Sequence, residues 1–194
     1  MTSPNRLFFT GVPGSRWSGI AQVLETLPGF NISDRTESRE FQHQQFGGHR
    51  GAYFGYGMEL APVLHAAYLD SAHKDPGGTR IIKSHDWAHM LPEIQDTFPE
   101  DWIMLVYRPD LASYAWWHQA GGFDIKYPNY WYYENSENMM GEITKQNRAI
   151  LDFACQRDAT WNYFTADWCQ QHFGHRPEIV KTWPDILVTL IKNR

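Results

Sequence analysis

Lys83 and His85 stand two residues apart at the end of an apolar run, in the stretch RIIKSHDW (residues 80–87). On a strand, residues two apart face the same side, so the ammonium and the imidazole are expected to point together. Such a pair suits a site that neutralises an anion while a base removes a proton. A lysine and a histidine leaving a strand for solvent would leave the same letters, so the tripeptide alone does not make a site.

Two further polar clusters follow apolar runs. After RLFF comes GVPGSRWS, where Gly11 and Gly14 permit close backbone approach to an anion at the start of a helix. Ser15 and Ser18 offer hydroxyls there and Arg16 a guanidinium, donors that suit phosphate or sulfate. After MLVY comes RPDLAS, with Arg108 at the strand end, Asp110 placed to cap the next helix and Ser113 on its first turn. Arg108 and Ser113 are both within reach of a phosphate near that helix start. The bland alternatives are a capping loop with an exposed Arg16, and an Arg108–Asp110 pair.

The elements that must position these clusters are read from periodicity. RLFF, RIIK and DWIMLVY are short apolar runs that read as buried strands, and ATWNYF reads as a fourth. SGIAQVLETL, ELAPVLHAAYLDSAHK, HMLPEIQDTF, RPDLASYAWWHQ and ENMMGEITKQNRAILDFACQ read as helices. A further helix is expected from Asp167, and DILVTLIKNR is expected to close the chain as another. Strands alternating with helices, and apolar along their whole length, indicate an α/β fold with a mainly parallel sheet covered on both faces. In such a sheet ligands bind beyond the carboxyl ends of the strands, so three clusters distant in sequence are expected to converge on one crevice.

Composition bounds the reading. The 194 residues suit one domain, residues 1–194, and 42% hydrophobic with 20% charged residues is ordinary for a globular protein. A net charge of −5 argues against a nucleic-acid binder but leaves room for a local anion pocket. Two cysteines, no signal-like start and no apolar run of membrane-spanning length give the expectation of a cytoplasmic protein without a membrane span.

Taken together, the clusters resemble sulfotransferases that use 3′-phosphoadenosine 5′-phosphosulfate (PAPS). That family has a P-[KR]-S-G-T-T loop after its first strand, a K-T-H strand end, and an R-x-P-x-D…S strand-to-helix element. Here they stand as GVPGSRWS, RIIKSH and YRPDLAS, in order along most of the chain. The resemblance implies a single-domain three-layer fold with P-loop-like sulfotransferase architecture. It implies PAPS as co-substrate, no metal, and a small-molecule or carbohydrate acceptor. It further implies His85 as general base, and Lys83 against the phosphosulfate and the leaving phosphate. Gly14, Ser15, Arg16, Trp17 and Ser18 would form the 5′-phosphosulfate cradle, Arg108 and Ser113 would bind the 3′-phosphate, and Tyr163 would lie near the adenine. The chain departs from the family pattern in three places: Gly14 stands for the loop cation, Arg16 for a glycine, and no C-terminal R-K-G segment is present. Gln22 falls where some branches carry a catalytic glutamate.

Two other readings stay open. A P-loop small-molecule kinase shares the order strand, glycine loop, helix, although the Walker pattern needs G-K-[ST] where this chain has RWS. A non-catalytic nucleotide binder on the same fold is the other. His85, Asp86 and His89 invite a metal hypothesis, which the strand end at His85 disfavours. The aromatic stretch 116–133 and the segment 48–57 are expected to wall an acceptor site.

Overall fold

Strand β1 (Arg6–Gly11) is buried at every position, as an apolar run covered on both faces must be. Its side chains alternate between two cores: Leu7 and Phe9 enter one, Phe8 the other. The computed structural model describes residues 4–34, 51–58, 60–125, 131–178 and 183–192. Within them β2 (Phe30–Asn31), β3 (Thr79–Lys83), β4 (Trp102–Tyr107), β5 (Asn162–Tyr163) and β6 (Leu187–Lys192) join β1 in one sheet. Its order is β2-β3-β1-β4-β6-β5. The first four strands in that order are mutually parallel; β6 runs antiparallel to both β4 and β5.

One face carries α1 (Trp17–Leu24) and α6 (Ala166–Phe173), which pack Ile20, Leu24, Trp168 and Cys169 against Ile81, Met104 and Val106. The other carries α3 (Leu91–Thr97), α4 (Asp110–Gln119) and α5 (Ser136–Cys155), with Ile94, Trp117, Met139, Ile143 and Ile150 against Ile82, Ile103 and Leu105. Each such large side chain contributes roughly 1.5–3 kcal/mol by leaving water. Both cores share the one sheet, so the described residues form a single α/β unit. Among them no helix is long and apolar enough to cross a membrane.

The amino end of the sheet is fastened by charge. Arg6 donates to Asp70 at 2.7 Å and to Asp101 at 2.8 Å, and its own backbone N–H also goes to Asp101. Burial alone would lower the Arg6 pKa, but the two carboxylates outweigh it and hold the guanidinium above its ordinary value.

Three elements differ from the sequence expectation. DILVTLIKNR contributes a strand, β6, rather than a terminal helix: its short apolar run hydrogen-bonds along the free edge of β4, from Tyr107↔Leu187 to Trp102↔Lys192. Helix α2 is confined to Ala66–Asp70, because Leu60 is drawn into an extended bridge with Phe54 and its carbonyl takes the Gly55 N–H. Asp110 is the first residue of α4 and not its cap; its carboxylate accepts from Thr144 and Asn147 of α5.

Candidate functional site

The β1–α1 loop is built by close approach. Gly14 has φ +77°, and a Cβ there would collide with the Ser113 carbonyl oxygen and lie 2.9 Å from the Trp117 Cβ. The loop thus seats directly on the α4 backbone, where a lysine or arginine at position 14 has no room. At Gly11 a Cβ would sit 2.7 Å from the Ser15 hydroxyl, so glycine there lets Ser15 tuck beneath the turn. The Ser15 N–H closes that turn on the Val12 carbonyl at 3.0 Å. Its Oγ, on a fully buried residue, has no hydrogen-bond partner among the described residues. Arg16, in the left-handed region at φ 61°, precedes α1 without a side-chain cap, and no acidic residue occupies the first turn. The leading N–H groups of a helix have no intrahelical acceptor and carry partial positive charge. A buried free hydroxyl beside such a helix start is an arrangement that an anion satisfies.

Arg108, at the carboxyl end of β4, fixes the other side of the loop. Its Nε and Nη2 both reach Asp185 Oδ2 at 2.7 Å, and Nη1 donates to the Gly14 carbonyl at 2.9 Å. Asn147 on α5 holds the same turn by donating to the Arg108 carbonyl at 2.8 Å. Ser113 is buried and its hydroxyl donates back to the Arg108 carbonyl, so its contribution to the loop is through the α4 backbone. The Arg16 guanidinium lies 3.3 Å from the centre of the Trp116 ring and 5.8 Å from that of Trp183. Burial, then the charge of Arg108, holds it below its ordinary pKa.

His85 follows β3 with helical backbone angles, φ −68° and ψ −35°, and its ring packs 4.3 Å from that of Trp17. Its Nδ1 is bonded to the Gly11 carbonyl. A carbonyl only accepts, so Nδ1 carries the proton and Nε2 of the neutral ring keeps the lone pair. Burial pushes the imidazole down to about 4, against the Gly11 bond and the charge of Glu142, which both favour protonation. The ring is therefore uncharged at neutral pH and stays so well into the acid range, unlike an exposed histidine poised near 6.5.

Lys83 does not share that direction. The two-residue strand rule ends with β3, and the Lys83 ammonium turns to Glu25 at 3.0 Å and Asp34 at 3.7 Å, with its side chain 2% exposed. It stands 5.1 Å from the Tyr53 ring, which packs edge-on against Trp17. Trp17 itself is a core residue, stacked on Phe9, so its backbone and not its ring faces the loop. Ser18 lies in the first turn of α1. Tyr163 is half exposed on β5, paired with Leu187, which also pairs with Tyr107. It is thus level with the carboxyl end of β4 but two strands removed.

The loop, His85, Arg108 and Ser113 meet at the carboxyl ends of β1, β3 and β4; Lys83 is diverted into an ion pair and Tyr163 stands apart. Sequence reasoning missed Glu25, Asp34, Asp185 and Asn147, whose partners lie far along the chain. Trp116 was legible, three residues after Ser113 on the same side of α4. Behind His85, His89 donates to Glu142 at 2.7 Å, and this bond raises the His89 pKa. Asp86 accepts the Tyr56 N–H at 2.8 Å, and burial raises its pKa. Among the described residues no group of three or more histidine, cysteine, aspartate or glutamate side chains is placed to hold a metal ion. In the aromatic stretch, Trp117 stacks on Tyr133 and meets Phe123 edge-on as part of the core; residues 126–130, like 48–50, lie outside the described residues.

Comparison with models of protein families, with curated proteins and with solved structures gave no match to this chain.

Proposed function

We propose that this chain is a sulfotransferase, moving a sulfuryl group from PAPS to a hydroxyl or amine of a small-molecule or carbohydrate acceptor, with His85 as general base. The observation that carries the reading is the bond from His85 Nδ1 to the Gly11 carbonyl. It ties a neutral imidazole, with its lone pair on Nε2, to the same glycine loop whose buried hydroxyl and helix start suit an anion.

PAPS brings the activated sulfuryl group and a phosphate leaving group. The Ser15 hydroxyl and the uncapped start of α1 are the donors this chain offers to the charged end, and the fit rests on the hydroxyl having no partner among the described residues and on α1 having no side-chain cap. Arg16 and Arg108 supply cationic charge beside them. His85 Nε2 takes the acceptor's proton as the new oxygen–sulfur or nitrogen–sulfur bond forms. Sulfuryl transfer, like phosphoryl transfer, draws most of its rate from alignment and electrostatic stabilisation, so a rigid loop and a fixed imidazole are the relevant equipment. Arg16 also lines a groove of about 800 Å³ along α1, walled by Gln22, Thr26, Trp183 and Arg176, a size suited to an organic ligand.

One observation favours the second reading, a nucleotide binder without turnover: Lys83 is held by Glu25 and Asp34. A kinase has less support, since the loop carries Arg16 and Trp17 where Gly and Lys would be needed.

Calorimetric titration with adenosine 3′,5′-bisphosphate, with ATP plus Mg²⁺ as the comparison, tests the site. Metal-independent binding of the bisphosphate, followed by turnover of PAPS in an acceptor screen, is expected. His85→Ala should then abolish turnover while leaving bisphosphate affinity near wild type. Binding with no turnover in either form would establish the second reading, binding of ATP only with metal would turn to the kinase, and no binding at all would end all three.

A further inference from the structure

Asp185 occupies the face of Arg108 that a phosphate would take. Both Nε and Nη2 of Arg108 converge on its Oδ2, a charge-assisted arrangement of the kind guanidinium groups make with phosphate oxygens. A donor on Nη1 is fixed on the Gly14 carbonyl. The Nε–Nη2 edge of Arg108 is therefore closed to a ligand while Asp185 stays in place. Asp185 itself is only partly covered, its side chain being 37% exposed, and it lies on the stretch after Trp183 that leads into β6.

The charges around it do not balance. Arg16 and Arg108 bring two positive charges to one end of the loop, close enough that Arg108 disfavours the charged form of Arg16. Asp185 returns one negative charge. Among the described residues Arg16 makes no salt bridge, its Nε is buried with no hydrogen-bond partner, and its planar group is held between Trp116 and Trp183. Replacing Asp185 with a singly charged phosphodiester would leave the same surplus. A phosphate monoester, close to doubly charged at neutral pH, would remove it.

We propose that Asp185 is an internal competitor for the phosphate site at Arg108 and Arg16, a site whose two positive charges suit a dianionic phosphate monoester. This rests on the reading of the loop as a nucleotide-phosphate site. Binding exchanges one oxyanion for another on the same guanidinium edge, and Asp185 turns outward to solvent as it is released.

The test is titration of wild type, Asp185→Asn and Asp185→Ser with adenosine 3′,5′-bisphosphate and, separately, with inorganic pyrophosphate. Removal of the competitor should tighten both ligands by about three- to tenfold, the scale of a partly exposed charged contact. Adenosine 3′,5′-cyclic monophosphate, a singly charged diester, should bind more weakly than either in every form. Unchanged or weakened binding of both ligands would overturn the proposal and make Asp185 a support for Arg108. A gain for pyrophosphate with no bisphosphate binding in any form would keep the competitor and remove the sulfotransferase reading. Equal bisphosphate binding in all three forms would do the reverse. In the wild type, the Asp185 carboxyl carbon resonance should shift on saturation with pyrophosphate, and a resonance that stays put would count against the exchange without recourse to a variant.

Discussion

The two ends of β1 treat charge in opposite ways. At the amino end Arg6 is buried with each guanidinium nitrogen bonded to Asp70 or Asp101. At the carboxyl end, Ser15 Oγ and Arg16 Nε are buried with no partner among the described residues, and a histidine is held neutral. Leaving a buried polar atom unsatisfied costs about 1–3 kcal/mol, so the second end is the costlier one to build and the one with bonding capacity to spare. Lys83 sharpens the contrast, because it sits at the carboxyl end yet is paired like Arg6. Standing at a strand end does not by itself make a residue part of the site.

The largest expected effect belongs to the satisfied charges. Arg6→Ala would take the buried cation from Asp101 and Asp70, and Lys83→Ala would take the one shared by Glu25 and Asp34. Each should lower stability by about 3–5 kcal/mol, the usual cost of breaking a buried pair from one side, read by urea unfolding. If Lys83→Ala costs less than about 1 kcal/mol, Lys83 belongs with the binding groups instead. Gly14→Ala comes next, at roughly 2–3 kcal/mol, because a side chain at that positive φ must move the loop off the Ser113 carbonyl. A Gly14→Ala protein as stable as wild type would mean that the loop does not need its close seat on α4.

A pH profile probes the histidine. The folded His85 titrates at about 4 and the unfolded residue near 6.5. Between those values the unfolded chain binds the extra proton, so the stability present above 6.5 is lost as pH falls toward 4, by roughly 3 kcal/mol in all. His89 acts oppositely: its raised pKa gives stability below 6.5 that is lost as pH rises. Imidazole NMR resonances separate the two, and His85 should stay neutral to well below pH 6. The acid limb of kcat/KM should fall with it; a limb at 6.5 or above would assign the base elsewhere.

The fold was legible where pattern is local. Runs such as RIIK and MLVY are apolar throughout because both faces of the sheet are covered, and their carboxyl ends do converge. What escaped was set by distant partners. Nothing near DILVTLI indicates that it will pair with β4 instead of forming a helix, since a short apolar run satisfies either period. The diversion of Lys83 depends on Glu25, 58 residues away, and that of Arg108 on Asp185, 77 residues away. That the three polar clusters would be neighbours was legible; the pairing of Lys83 and Arg108 with distant carboxylates was not.

Ser15→Ala has the smallest expected effect on stability and the most pointed meaning. Its Oγ is buried without a partner, so its removal takes away an unsatisfied group and a small volume, and the unfolding free energy should change by no more than about 0.5 kcal/mol. Yet the same hydroxyl is the donor placed beneath the helix start, and adenosine 3′,5′-bisphosphate should bind several-fold more weakly without it. A residue needed for structure would show the reverse, a loss of stability with affinity intact. Equal affinity in Ser15→Ala and wild type would mean that the hydroxyl's missing partner is not the ligand, and the contrast between the two ends of β1 would then describe packing alone.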